Sequence, residues 1–285
     1  MASSSRGFTL MELMIALVVF AIAAGAISKF ALNSQRLSQA QVEIIAMQSN
    51  LRTGILVVPT ELRELAASGT GSDILAMAST SITFRAMRGV GFMCQISPTE
   101  IRLLDTGSIP FYGTRVIIAG RDSVIVFVEN DPDDSLDDAW LVLQPTAVDL
   151  ASTCGVNAAV RLTFNDFSGL LTNGVADLQV GGPVRSFEVM QLAQMTSGGA
   201  TWLGARSVSG GQATLQPVLG PLQVNGLLLE YFTGTGVATT APTAVRQIRI
   251  TLRGLTQRAV SRTLEDSRAF LQDSLITTVT LRNAG

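Results

Sequence analysis

Glu12 is the only charged side chain among the 21 residues from Phe8 to Ser28. A carboxylate inside such an apolar run costs about 2.5–3.5 kcal/mol on insertion scales, so it needs a use where it stands. A functional explanation is therefore favoured, the alternative being a glutamate that snorkels to the membrane interface. Few other residues suit catalysis. The chain has no histidine and a single lysine, Lys29. Ser-His-Asp and Cys-His nucleophiles and histidine-ligated zinc are therefore excluded, leaving only carboxylate chemistry, and the expectation is a protein that is not an enzyme.

Three further groups could bind or cross-link. Cys94 and Cys154 are the only cysteines; an even count in an exported domain predicts one disulfide, and two separate buried thiols are the alternative. The loop Asn130 to Asp138 gathers Asp131, Asp133, Asp134 and Asp138. Those hard oxygens suit calcium, although the spacing is not that of an EF-hand and a solvated acidic turn is the better reading. The arginines at 246, 249, 253, 258 and 262 form the one basic cluster. Arg246 falls on the apolar side of its segment and no aromatics interleave, so DNA is not an expected partner. Trp140 and Trp202 are read as packing residues.

The elements that must position these groups follow from periodicity. With 285 residues, 47% of them hydrophobic, and a net charge of -2, the chain can build a sizeable core and offers no global attraction to nucleic acid or anionic lipid. The apolar run is long enough to cross the ~30 Å hydrocarbon layer as a helix. From Asn33 to Val57 the positions Leu37, Ala40, Ile44, Gln48, Leu51 and Ile55 keep helical spacing, predicting that the helix continues beyond a membrane. Pro59 is expected to end it, with a short helix from Glu61 to Ala67 closed by Gly69.

Beyond Gly69 the period becomes that of strands: Ser81–Met87, Phe92–Ile96, Glu100–Leu104, Ser123–Glu129, Ala139–Leu143, Ala159–Phe164, Arg185–Ala193, Leu227–Phe232, Arg246–Arg253 and Leu275–Arg282. Residues Ile248, Ile250 and Leu252 alternate with polar neighbours, as do Leu275, Thr277, Val279 and Leu281, so each strand has one core face. Thr196–Gly211 and Thr233–Thr243 read as loops or hairpin tips. The fold class is α+β, a long helix on a mainly antiparallel sheet.

Two processing routes fit the N-terminus. A secretory signal would use Arg6, the apolar run and cleavage after Ala24-Gly25-Ala26, releasing a soluble exoprotein that starts at Ile27. A leader of residues 1–7 would instead be cut before Phe8, making Glu12 the fifth residue of the mature chain. Glu12 favours the second route, because a discarded signal has no use for it. The residues Arg6-Gly7-Phe8-Thr9-Leu10-Met11-Glu12-Leu13 resemble the leader of type IV prepilins and type II secretion pseudopilins.

More diffuse matches at Gly91–Cys94, Asn130–Trp140, Gly226–Phe232, Val245–Leu252 and Val279–Asn283 are similar to PilW-like minor pilins and J-type pseudopilins. The resemblance implies a prepilin peptidase that cuts between Gly7 and Phe8 and methylates the Phe8 amine, with Glu12 pairing to the N-terminus of a neighbouring subunit in assembly. It implies a leader (1–7), a transmembrane helix (8–30), its periplasmic continuation (31–57) and a β-rich pilin-like domain (58–285).

The implied place is the inner membrane, single-pass with a cytoplasmic N-terminus, and then a pilus or pseudopilus. The implied partners are other minor pilins and the major pilin. The implied role is a minor pilin in pilus initiation, assembly or tip capping, or alternatively a type II secretion pseudopilin. No cofactor is expected beyond calcium, which some pseudopilins bind. Unlike many major pilins, the span has no proline, and Lys29 stands near its outer end.

Overall fold

The computed structural model describes residues 9–68, 71–131, 133, 138–261 and 267–282. Helix α1, Leu10–Arg63, is 54 residues long. It is followed by β1 (Ala67–Ser68), β2 (Gly71–Ser72), β3 (Ile74–Ala78), β4 (Ser81–Ser97), β5 (Glu100–Leu104), β6 (Tyr112–Gly113), β7 (Ser123–Val128), β8 (Ala139–Leu143), β9 (Ala147–Cys154), β10 (Asn157–Thr163), β11 (Pro183–Ser197), β12 (Ala200–Ser207), β13 (Gln216–Phe232), β14 (Gln247–Leu255) and β15 (Gln272–Thr280). Apart from the small β1–β2 pair, they form one sheet in the order β15-β14-β13-β12-β11-β4-β5-β10-β9. Strands β3 and β6 add to β4, and the β7–β8 hairpin adds to β11. The arrangement is the expected α+β, pilin-like one.

Two cores divide the domain. In the first, Met47, Leu51, Val58 and Leu62 of α1 pack on Ile82 and Phe84 of β4, Leu227 and Leu229 of β13, Ile248, Ile250 and Leu252 of β14, and Val279 of β15. The alternation read from β14 and β15 is the one observed, because their inward faces lie under the helix. In the second, Met93 of β4, Ile101 and Leu103 of β5, Val124, Val126 and Val128 of β7 and Val160 and Leu162 of β10 enclose Phe164 and Phe167. Among the described residues, β4 and β11 are the strands that run from one core to the other and join them.

Several boundaries differ from the sequence reading. Pro59 does not end the helix: it is buried with Val58 and Leu62, and α1 continues to Arg63. Proline removes one backbone bond at roughly 3 kcal/mol, and burial of the adjacent apolar turn offsets that loss. The short helix expected from Glu61 is thus the last turn of α1, whose end is capped by the far end of the chain, where the Arg282 N–H donates to the Arg63 carbonyl at 3.0 Å.

Ser81–Met87 and Phe92–Ile96 are one strand, β4, carried through Gly89 and Gly91. A Cβ on Gly89 would collide with the ring of Phe111. Thr196–Gly211, read as a loop, holds the whole of β12, whose half-buried face lacks the clean alternation that marks a strand. Strands β3 and β9 were not expected either. Thr233–Thr243 is a turn-rich connection as anticipated.

Candidate functional site

The N-terminal end of α1 begins at Thr9, an extended residue with φ -77° and ψ 147°. The Glu12 N–H donates to Thr9 Oγ1 at 3.2 Å, and Glu12 Oε2 accepts from the Thr9 N–H and from its hydroxyl, both at 3.0 Å. This is a capping box, which satisfies donors that the first turn would otherwise leave unpaired. The Thr-x-x-Glu spacing was visible in the sequence and its second meaning was missed: Glu12 caps its own helix as well as carrying a charge. Gly7 and Phe8 lie outside the described residues.

From Leu10 to about Leu32 no residue of the helix is buried among the described residues, and large apolar residues such as Leu10 (77% exposed), Phe20 (71%) and Phe30 (76%) stand bare. One helix of this length and apolarity can cross a membrane. A surface of this kind must be covered by lipid or by other helices, because water disfavours it.

The C-terminal half of α1 is fastened to the sheet. Gly54 lets it approach closely, since a Cβ there would lie 2.5 Å from Leu219 Cδ2 and 2.7 Å from Leu252 Cδ1. Asn50 Nδ2 donates to the Gly220 carbonyl at 3.0 Å, and Gln48 Nε2 donates to Asp273 at 3.2 Å. Glu43 Oε2 accepts from the backbone N–H groups of Gln257 (3.0 Å) and Arg258 (3.2 Å).

A charged network, not foreseen from sequence, joins the helix to both cores. Glu188 of β11 is buried, and its carboxylate accepts from Arg88 Nε at 2.7 Å, from Arg121 Nε at 2.8 Å and from the Ser207 hydroxyl at 2.9 Å. Arg88 also reaches Glu61 of α1 at 3.1 Å, and Arg115 pairs with buried Asp122. Burial alone would push the Glu188 carboxyl up, but the bonds from Arg88, Arg121 and Ser207 outweigh it and hold the group at about 2. Arg88 gets there because it is a bulge: Ser186 pairs with Gly89 and Phe187 with Met87, so Arg88 has no partner across the ladder and its side chain is re-aimed.

Cys94 and Cys154 form a disulfide with a Cα separation of 6.2 Å. Cys94 is likewise the extra residue of a bulge, between the pairs Met93–Leu103 and Gln95–Arg102. The tip of the β9–β10 hairpin folds back toward β4 to meet it, helped by Arg102 Nη1 donating to the Thr153 carbonyl at 2.7 Å.

The acidic loop is described only at Asn130, Asp131, Asp133 and Asp138; Asp134 lies outside the described residues. Asp131 Oδ1 accepts from the Asp133 N–H at 3.1 Å, a local turn bond. No group of three acidic, thiol or imidazole side chains converges on a cation position among the described residues.

The basic cluster is dispersed. Arg249 lies 3.6 Å from Glu230 and 4.7 Å above the Phe232 ring, Arg246 donates to the Thr243 carbonyl, and Arg258 sits beside α1; Arg262 lies outside the described residues. Trp140 is half exposed, edge-on to Phe127, and the Trp202 indole N–H donates to the Ser197 carbonyl.

A helix bare over its first half and clamped over its second to a large antiparallel sheet defines a pilin-like α+β protein. Residues 2–28 match the family model of the prokaryotic N-terminal methylation motif. No curated protein and no solved structure matches the chain. The motif supports a type IV pilin-like or pseudopilin protein, points to a structural rather than a catalytic one, and implies processing by a prepilin peptidase and assembly with other pilins. With the apolar helix, it points to membrane anchoring.

Proposed function

We propose that this chain is a minor pilin, taking part in initiation, assembly or tip capping of a type IV pilus through α1. The observation that carries this is the bare apolar half of α1 with Glu12 near its start, joined without a break to a half clamped on the sheet. Such a helix can leave lipid for a bundle of like helices while its domain is carried along. Pairing of Glu12 with the methylated Phe8 amine of a neighbour would neutralise both charges in that apolar setting. The size and β-rich character of the domain favour a minor component over the bulk subunit.

Residues 1–7 are the cleaved leader in this reading, 8–30 the span and 31–57 its periplasmic continuation. The domain faces the periplasm, and the other minor pilins and the major pilin are the partners. No cofactor is needed, and calcium at the acidic loop would be a separate event. Mass spectrometry of the mature N-terminus tests the proposal: N-methylated Phe8 is expected, whereas a chain starting at Ile27 would make it a soluble exoprotein. Deletion of the gene separates the remaining rival. Loss of pili with secretion intact is expected, and loss of secretion with pili intact would make the chain a type II secretion pseudopilin.

A further inference from the structure

Strand β15 closes one edge of the sheet and, among the described residues, pairs only with β14. The Leu281 N–H donates to the Arg246 carbonyl at 3.0 Å and the Thr256 N–H to the Leu271 carbonyl at 2.9 Å. Carried along the register, these bonds turn Leu275, Thr277 and Val279 toward β14, while Ile276, Thr278 and Thr280 direct their backbone N–H and carbonyl groups outward. The side chains of those three residues are exposed, Ile276 at 64%. No backbone partner meets their outward groups among the described residues.

The other edges are guarded against strand addition, and this one is not. Strands β3, β6 and β8 are short, five residues at most. Strand β9 sits on a register shift between Ala159 and Arg161, and Asp149 turns its carboxylate onto the Ala151 N–H at 2.9 Å. Strand β15 is nine residues long, keeps one register with β14 throughout, and carries no charge from Ser274 to Leu281. A long, regular, uncharged edge is a template for another strand.

Position selects the occupant. Gln48 of α1 meets Asp273 at the start of β15, and Arg63 at the end of α1 meets Arg282 just past the strand, so helix and strand run side by side in the same sense. At ~1.5 Å per residue, Gln48 stands about 28 Å beyond Lys29, past a headgroup layer about 5–8 Å deep, so lipid does not reach the strand. A second copy does not fit either. Antiparallel pairing of β15 with itself would point the two bare halves of α1 in opposite directions, which one membrane does not allow, and the remaining edges of a copy are the guarded ones. Strand β15 is also the outermost strand beneath α1, so its edge continues the flank of the helix that the methylation motif ties to assembly with other pilins.

We propose that β15 is completed in the assembly by an exposed strand of a different pilin-like chain, anchored in the same membrane and running antiparallel to β15, toward the bilayer. The proposal rests on the reading of this chain as a pilin that assembles through α1. The strand that fits has no charge opposite Ile276 to Thr280 and presents apolar or β-branched residues on the side of Leu275 and Thr277.

The test places the photo-cross-linker benzoylphenylalanine in turn at Ile276, Thr278 and Thr280 of the full chain in its own cells, and maps the linked residues by mass spectrometry. Expected are links to one other chain with a methylated N-terminus, stepping back two residues along a single segment of it for each two residues forward in β15. Thr278→Pro removes an outward N–H and no bond to β14, and Ile276→Lys adds a guarding charge; each is expected to lower the yield from Thr280 about tenfold. Val156→Lys, at the exposed β9–β10 turn, is expected to leave the yield unchanged. If the proline variant melts well below the parent, Ile276→Lys decides. Links that scatter, that fall on a second copy, or that survive both substitutions overturn the proposal. The same cross-linker at Phe20 separates the two readings. Links from Phe20 to other pilins with none from β15 overturn strand addition alone, and no links from either position overturn the assembly reading with it.

Discussion

The Nε of Arg88 lies 2.7 Å from Oε1 of Glu188, a residue 100 positions further along the chain, and the same guanidinium extends 3.1 Å to Glu61 of the helix. One side chain thus connects α1, β4 and β11. Around it three arginines, Arg88, Arg115 and Arg121, face three carboxylates, Glu61, Asp122 and Glu188. The network is charge-neutral and ties the helix to β4 and β11.

Glu188→Gln would leave that arginine group with an uncompensated charge, and breaking a buried pair in this way costs about 3–5 kcal/mol. The effect is expected as a lower urea midpoint at neutral pH. In the parent protein the Glu188 carboxyl is held at about 2 against an ordinary 4.5. The folded value is depressed, so the contribution is complete above about 4.5 and is lost as the pH falls toward 2. The variant should therefore show a shallower loss of stability across that window.

Gly54→Leu would force a branched side chain into the space held by Leu219 and Leu252. Overpacking of this kind costs about 1–3 kcal/mol. Thermal melts should show the loss, and cross-linking between cysteines introduced at Gln48 and Asp273, whose side chains meet at 3.2 Å, should fall as the helix lifts from the sheet.

Replacing Cys94 and Cys154 by serine removes a bond closing a separation of 60 residues. The chain-entropy account puts its contribution at about 4 kcal/mol, with engineered cases often lower. A free-thiol assay on the parent should find none, and the double variant should melt at a lower temperature.

The capping by Glu12 and its proposed pairing in assembly can be separated. Glutamine also completes a capping box, so Glu12→Gln should preserve the helix start while removing the charge, whereas Thr9→Ala should weaken the cap by about 1 kcal/mol and leave the charge. If the carboxylate pairs with a neighbour's amine, Glu12→Gln loses recovery in sheared filaments and Thr9→Ala does not. The reverse ranking would assign Glu12 to capping alone.

Calcium at millimolar concentration is expected to leave the melting temperature unchanged, since Asp131 is already turned onto its own loop. A rise of several degrees that disappears in Asp131→Asn would establish binding there.

The strands over the first core were legible because one face of each is buried and the other wet, as in Ile248, Ile250 and Leu252. Strand β12 was not, since half-burial along its length blurs the period. Pro59 misled for a related reason: local backbone preference ends a helix there, and packing against the sheet carries it through. The Thr9–Glu12 box was written in plain spacing but was hidden by the stronger question of why a charge stands in an apolar run.

The sequence by itself determined the anchor, from Gly7 through Glu12 and the apolar run, because that signal is local: composition and order along one helix carry it. It also determined that no histidine chemistry is available. Tertiary structure alone decided that Arg88 and Glu188 share a site and that Cys94 faces Cys154. Both Arg88 and Cys94 are unpaired bulge residues of β4, and a bulge shifts register by one residue without changing the local pattern from which a strand is recognised.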